Sequence, residues 1–210
     1  MTQPTGEWTT KAPMLYPVVE YASAVVGNKI YIMGGQNEFK VNDTMTMSTN
    51  QIYDTETDTW SLGASLPTAV WMPAAGSTAG VLTPERTYLV GGHLDKSESS
   101  TNKVQIYNPA DNNWSIGASM LSARFGLAVA VLNDKLYAIG GTHSYLLPGE
   151  RAMTNNEVYT PIGYEHESST PEPKTQEAIP TNLLIVIIAI VIISVVLLSL
   201  ARQRRSKQHF

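Results

Sequence analysis

Three times in this chain an apolar run ends in a glycine pair, with a tyrosine four residues before the second glycine. The runs are KIYIMGG at 29–35, RTYLVGG at 86–92 and KLYAIGG at 135–141. Downstream come QIYDTETDTW at 51–60, QIYNPADNNW at 105–114 and EVYTP at 157–161. Tyr53 and Trp60 are seven apart, as are Tyr107 and Trp114. The phrase after each tryptophan also repeats: WSLGASL at Trp60, WSIGASM at Trp114 and a weaker version, WTTKAPM, at Trp8. These tryptophans recur at spacings of 52 and 54 residues. Self-similarity at a period of about fifty residues restricts the fold to a series of like units, each relying on its neighbours to cover its faces.

Within one unit the pattern is of short strands and turns. The first holds four β-patterned runs, at about 18–26, 29–35, 51–54 and 59–62, separated by turn residues. Gly27-Asn28 and Asn133-Asp134 separate the first two runs of units one and three, and suit tight hairpins with positive φ. The glycine pairs allow a sharp turn and a close approach of neighbouring backbones. Tyr and Trp on the outer runs are positioned to bury apolar area between adjacent sheets, their polar tips free to hydrogen-bond. Small residues dominate the first runs (Ala22, Ser23, Ala24; Ala74, Ala75, Gly76; Gly126, Ala128, Ala130), as strands crowded near an axis require.

The glycine pair after an aromatic-bearing strand, followed by a Tyr and a Trp about seven apart within about fifty residues, resembles the kelch repeat. The resemblance covers residues 7–161 and implies all-β, four-stranded blades arranged radially as a β-propeller. The expected blades are about 16–62, 73–116 and 124–161, with 7–14 as an orphan outer strand. Kelch relatives often carry Arg at the start of the innermost strand. Arg124 fits that place, whereas Val18 and Val70 occupy the matching ones. The third unit has no closing Trp strand, since seven residues after Tyr159 stands His166. Three blades fall short of the roughly four to eight of a closed propeller. Two arrangements answer this: a longer propeller of which this is the C-terminal half, or self-association of two chains into one ring.

Residues 183–201, LLIVIIAIVIISVVLLSLA, carry no charge over 19 positions. As a helix they rise about 28 Å, close to the hydrocarbon thickness of about 30 Å. The expectation is one C-terminal transmembrane helix. Before it, 163–182 is rich in Ser, Thr, Pro and Glu and reads as a disordered stalk. After it, 202–210 carries Arg202, Arg204, Arg205 and Lys207 and no acid. Basic residues favour the cytoplasmic side, which puts the tail inside and the repeats outside or lumenal. The opening MTQPTGEWTTKAPM has no apolar signal segment. Two readings meet that conflict: a missing N-terminus, which we favour, or insertion from the C-terminal end, with the repeats in the cytosol.

In this architecture the loops after the second and fourth strand of each blade emerge on one face. They are the long ones here: 36–50, 93–102 and 142–155, with 63–73 and 117–123. The connections on the opposite face are expected to be mostly short. Ligand-contacting loops on a rigid scaffold are the general expectation, and the resemblance implies the same. The contact candidates are Phe39, Trp71, His93, Arg124 and Tyr145, with His143 and Arg151 beside them. Trp71 and Tyr145 lead, because exposed loop aromatics are costly unless used. The implied ligand is a protein or a glycan.

Chemistry has little footing in the sequence. The chain has no cysteine, which removes disulfides, thiolate metal sites and cysteine-based oxidase chemistry. His93 and His143 follow glycine pairs, but a third metal ligand is not evident. No G-x-S-x-G motif frames a nucleophile, and no phosphate loop is present. Neither metal nor cofactor is expected, and the reading is of a non-enzyme. Net charge is −4, and residues 1–182 carry 10 basic against 18 acidic groups, so no nucleic-acid partner is expected. The sequon at Asn42 falls in a long loop and is a candidate glycosylation site; that at Asn113 is discounted because it adjoins a Trp expected to be buried. The reading from another class is a membrane-tethered oxidase or hydrolase whose catalytic part lies outside this chain.

Overall fold

The structure, a computed structural model, describes residues 6–37, 45–94, 99–144 and 152–165. The chain divides into two compact units, Met1–His166 and Glu167–Phe210, and the second lies outside the described residues. Unit one follows the fifty-residue period. Its first repeat forms β1 (Ala22–Val26), β2 (Lys29–Met33), the short pair β3 (Gln36–Asn37) and β4 (Met45–Thr46), then β5 (Asn50–Asp54) and β6 (Thr59–Leu62). The second forms β7 (Ala74–Ser77), β8 (Thr87–Val90), the short pair β9 (His93–Leu94) and β10 (Ser99–Ser100), then β11 (Val104–Asn108) and β12 (Asn113–Ile116). The third forms β13 (Ala128–Leu132), β14 (Lys135–Ile139) and β15 (Asn156–Tyr159).

The long strands pair antiparallel, in the sheet orders β1-β2-β5-β6, β7-β8-β11-β12 and β13-β14-β15. Register is conserved: Ala22 faces Met33, Ala74 faces Val90 and Ala128 faces Ile139. The hairpin turns hold as the sequence requires, with φ of 57° at Gly27, 49° at Asn133 and 55° at Asp134.

Alternation along each strand gives every sheet a forward and a rear face. The forward face of the first sheet (Ala22, Ala24, Tyr31, Met33) packs on the rear face of the second (Ala75, Leu89, Tyr107). The forward face of the second (Ala74, Tyr88, Val90, Val104) packs on the rear face of the third (Val129, Leu136, Ala138, Tyr159). An aromatic pair recurs at each junction: Tyr31 with Tyr107 at 5.6 Å and Tyr88 with Tyr159 at 5.7 Å between ring centres. Gly76 on β7 leaves space for β13; a Cβ there would come within 2.6 Å of the Val131 methyl.

Polar side chains stitch each sheet to the segment leading into it. Trp60 Nε1 donates to Ala12 O at 2.8 Å, and Trp114 Nε1 donates to Ala64 O at 2.8 Å. The Gln51 amide bonds both the N–H and the carbonyl of Tyr16, and Gln105 does the same to Thr68. Tyr53 donates to Asp58 Oδ1 at 2.6 Å, which holds its phenol up at about 12, and Tyr107 donates to Asn112 Oδ1 at 2.8 Å. A fully buried amide with both its donor and its acceptor used fixes the lead-in more firmly than apolar contact alone.

Two expectations change. Segment 7–14 forms no ladder and Trp8 is 99% exposed; the segment is held at Ala12, whose N–H donates to Asp58 Oδ1 at 3.0 Å and whose carbonyl accepts from Trp60 Nε1. On the face away from the loops the connections at 27–28, 55–58, 109–112 and 133–134 are short, while 78–86 is long and its backbone closes on a buried carboxylate. Asp134 accepts from Ala79 N (2.6 Å), Leu82 N (2.7 Å) and Val81 N (3.0 Å). Residues 163–165, expected to open the stalk, run back over that loop. Thr83 donates to Ile162 O, Glu165 N donates to Leu82 O at 2.6 Å, and Lys135 Nζ sits 4.8 Å above the Tyr164 ring. The remainder of the stalk, the span at 183–201 and the basic tail lie outside the described residues. Among those that are described, no helix is long and apolar enough to cross a membrane.

Candidate functional site on the loop face

The loop face is built around the three glycine pairs. Both members of each pair have positive φ, from 64° to 109°. They turn the chain off the second strand and bring it against the next sheet's lead-in. Gly35 N donates to Val70 O at 2.9 Å and Gly92 N donates to Arg124 O at 3.0 Å. A second series runs closer to the axis through Glu20, Met72 and Gly126, all at positive φ. Met72 N donates to Glu20 O at 2.8 Å and Gly126 N to Met72 O at 2.9 Å. Single bridges flank it: Val19 with Gln36, Trp71 with His93 and Phe125 with Thr142.

The last two bridges assemble an aromatic cluster at the junction of the second and third sheets. Trp71 and His93 rings lie 4.7 Å apart, His93 meets Phe125 edge-on at 5.0 Å, and Trp71 is stacked 6.2 Å from Phe125. Phe125 and His93 are buried and Trp71 is half-buried, so the indole is backed by two rigid rings. His93 Nδ1 lies 3.0 Å from Leu94 O, a geometry that places a proton on that nitrogen. The part of such an indole that stays accessible suits apolar, sugar C–H or cationic groups of a ligand.

Arg124, expected among the contact residues, is fully buried. Its guanidinium pairs with Glu157 and donates to Ala138 O at 3.0 Å. Burial works against ionisation of Glu157, but hydrogen bonds from Arg124, Leu121 N and Ser122 N outweigh it and hold the carboxyl below its ordinary value. Glu157 takes the place held by Gln51 and Gln105 in the other sheets. A carboxylate has no donor for the lead-in, and the buried cation supplies its partner instead. Arg124 therefore holds the third sheet to its lead-in.

The structure thus unites Trp71 and His93 and withdraws Arg124. His143 is exposed on the segment after Thr142. Phe39, Tyr145, Arg151 and Asn42 lie outside the described residues. Asn113 is exposed although Trp114 is half-buried, because successive strand residues point to opposite faces; adjacency to the Trp is no ground for discounting it. The sequence reading missed Phe125. Its signal was positional, since Phe125 follows Arg124 as Trp71 follows Val70. Among the described residues no three metal-ligating side chains cluster. Away from the loops, a groove of about 490 Å³ opens between the first two sheets, lined by Lys29, Tyr31, Glu85, Tyr107 and Asn112.

Comparison with known proteins agrees with this architecture. Residues 17–67 and 76–121 match the Kelch motif. Kelch-like protein terF of Aspergillus terreus is 30% identical over 183 residues, covering 82% of this chain and 36% of the relative. Kelch-like protein 23 of Mus musculus is 29% identical over 166 residues, 79% of this chain and 26% of the relative. Kelch-like protein 25 of Xenopus tropicalis is 29% identical over 139 residues, 64% of this chain and 23% of the relative. The chain thus spans about a third or less of the length of these relatives. Four-stranded antiparallel sheets with repeating register, joined through recurrent tyrosine pairs, and these matches identify the chain as a kelch-repeat protein.

Proposed function

We propose that this chain is a membrane-anchored interaction module that recognises a protein or a glycan through its loop face. The observation that carries the reading is the half-buried Trp71 indole, seated on His93 and Phe125 among the long loops. Kelch-like relatives, to which the chain is similar over much of its own length, favour a protein as the ligand. The anchor rests on the 19 uncharged residues of 183–201 and the basic tail that follows. In this reading the module is a non-enzyme, single-pass, with the sheets outside or lumenal and the C-terminus cytoplasmic.

The test is a binding panel of arrayed glycans and receptor ectodomains, probed with wild-type protein, Trp71→Ala and Val81→Asp. Val81 is exposed on the opposite face and serves as the control. Trp71→Ala is expected to weaken binding more than tenfold, the range of an aromatic hot spot of about 2 kcal/mol. Val81→Asp is expected to bind as wild type. Equal binding by Trp71→Ala removes the loop-face reading. Protease added to sealed vesicles tests the anchor separately, and a tail digested only after lysis of a cytoplasm-out vesicle reverses the orientation.

A further inference from the structure

We propose that the groove between the first two sheets, on the face away from the long loops, is a docking slot for a short basic peptide segment of a partner protein, received by Glu85. Three equivalent positions differ in what they receive. Asn28, Glu85 and Asp134 each precede the basic residue of the repeated run, Lys29, Arg86 or Lys135. Asp134 is buried, and the preceding sheet's 78–86 loop folds its N–H groups at Ala79, Val81 and Leu82 onto that carboxylate. Glu85 carries a carboxylate at the same place one sheet earlier. It is exposed, and the ion pairs among the described residues, Lys29 with Asp54 and Arg124 with Glu157, leave it out. Loop length is the reason. Strands β1 and β2 are joined by two residues, Gly27 and Asn28, whereas β7 and β8 are joined by nine. The short hairpin does not close on Glu85 as 78–86 closes on Asp134.

The seam left open is the groove of about 490 Å³, within the range of about 300–1,000 Å³ of ligand clefts. At the next junction the matching space is taken. Thr83 of the long loop donates to Ile162 O, and a Cβ on Gly163 would touch Pro84 at 3.6 Å. Ile162 and Gly163 follow Tyr159 as Ala110 and Asp111 follow Tyr107. Ala110 instead lines the open groove, opposite the Gly27-Asn28 hairpin. The first junction has the walls of the second without the filling.

Charge and hydrogen bonding decide what fits. Lys29 and Glu85 are the charged residues of the lining, and Lys29 is paired with Asp54, so the Glu85 charge is left uncompensated. Burial, and after it the Glu85 charge, raises the Tyr31 phenol, which places the carboxylate near the groove floor. A guanidinium or ammonium group set there gains a charge-assisted hydrogen bond. The Gly63 end carries a second unmet demand. Asn50 is 1% exposed and stands where the second sheet has Val104. Its amide and the Tyr107 hydroxyl are both aimed at Gly63: a Cβ there would lie 2.7 Å from Asn50 Nδ2 and 2.8 Å from Tyr107 Oη. The amide's closeness works against the burial that pushes the Tyr107 phenol up. That hydroxyl is already given to Asn112, however, and neither Asn50 Nδ2 nor Oδ1 completes a hydrogen bond. A buried amide left open is costly, and a peptide group seated against Gly63 brings both the donor and the acceptor it lacks. A lone cation brings neither pair.

The full chain in mild detergent is tested against arrayed peptides of nine residues, the length of the 78–86 connection, blocked at both ends. They are random except for Arg, Lys, Gln or Glu at the centre. Wild type is expected to retain the Arg and Lys sets about tenfold or more above the Gln set. Glu85→Gln is expected to lose that preference, and Glu85→Lys to reverse it toward the Glu set, which misfolding cannot mimic. Ala110→Trp fills the groove and is expected to abolish the preference. Glu56→Gln removes an exposed carboxylate from the 55–58 hairpin, outside the groove, and is expected to behave as wild type. No charge preference in the wild type overturns the proposal. A basic preference kept by Glu85→Lys or by folded Ala110→Trp puts the peptides elsewhere, the loop face included, and also overturns it. Acetyl-arginine amide competing as well as a selected peptide assigns the groove to free cations and overturns the peptide.

Discussion

Arg124 and Glu157 replace, in the third sheet, what Val and Gln do in the other two. Val18 accompanies Gln51 and Val70 accompanies Gln105, while the buried cation accompanies the carboxylate. Removing one member of a buried pair leaves the other uncompensated, at a cost of about 3–5 kcal/mol. Arg124→Val alone and Glu157→Gln alone are therefore each expected to lower the unfolding free energy by about that amount. The double variant rebuilds the arrangement of the other sheets, and its loss is expected to be about 1 kcal/mol or less. Denaturant titration of the four proteins checks this, and an additive double variant contradicts the equivalence of the three sites. The same comparison explains why Arg124 looked like a contact residue. Its number and charge are visible in the sequence, but its carboxylate partner lies 33 residues away on β15.

At the scale of strands and turns, Gly27 of the first hairpin and Gly91 of the second glycine pair illustrate two separate demands on the backbone. Gly27 has φ of 57° and open space around its missing Cβ, while Gly91 has φ of 64° and would place a Cβ 2.4 Å from Arg124 O. Gly27→Ala carries only the left-handed penalty, about 1–2 kcal/mol. Gly91→Ala carries that and a collision with the next sheet's lead-in. It is expected to lose several times as much stability, or to fail to fold; equal melting temperatures for the two variants would show that the close approach is unimportant. These demands made most strands legible. The strands observed at Lys29–Met33 and Thr59–Leu62 sit where alternation, turn residues and the repeat put them. What escaped depended on distant partners. Segment 7–14 has a strand's sequence but pairs with no strand among the described residues, and is held by side chains of the β5–β6 hairpin at Ala12. Asp134 read as a hairpin residue, yet its carboxylate closes the 78–86 loop of another sheet. The aromatic cluster needed Trp71 and Phe125, 54 residues apart, to be superposed in register before it appeared.

Across the whole folded unit, acid acts on carboxylates held below their ordinary values, Asp54 and Asp58 in the first sheet and Asp134 and Glu157 at the junction of the second and third. Burial disfavours the charge on Asp134, but the N–H groups of Ala79, Leu82, Val81 and Thr83 outweigh it, so its pKa lies below the ordinary value of 3.8. Glu157 lies below its ordinary 4.5 through the same balance. In both, the unfolded chain takes up protons first as pH falls. Their stabilisation is complete above about pH 5 and is lost as pH drops through the carboxylate range and below the folded values. Urea midpoints are expected to hold between pH 7 and about 5 and to fall below about 4, with a shallower fall in Asp134→Asn; a flat profile down to pH 3 contradicts the assignment. The path of residues 162–165 has a mechanical consequence. Because Ile162 and Glu165 are clipped to Thr83 and Leu82, a pull on the chain beyond Glu165 is delivered first to the 78–86 loop of the middle sheet. Strand β15 is thereby shielded from being unzipped from its edge, and a tethered unit of this design would resist tension by shear across two sheets where peeling of one would otherwise suffice.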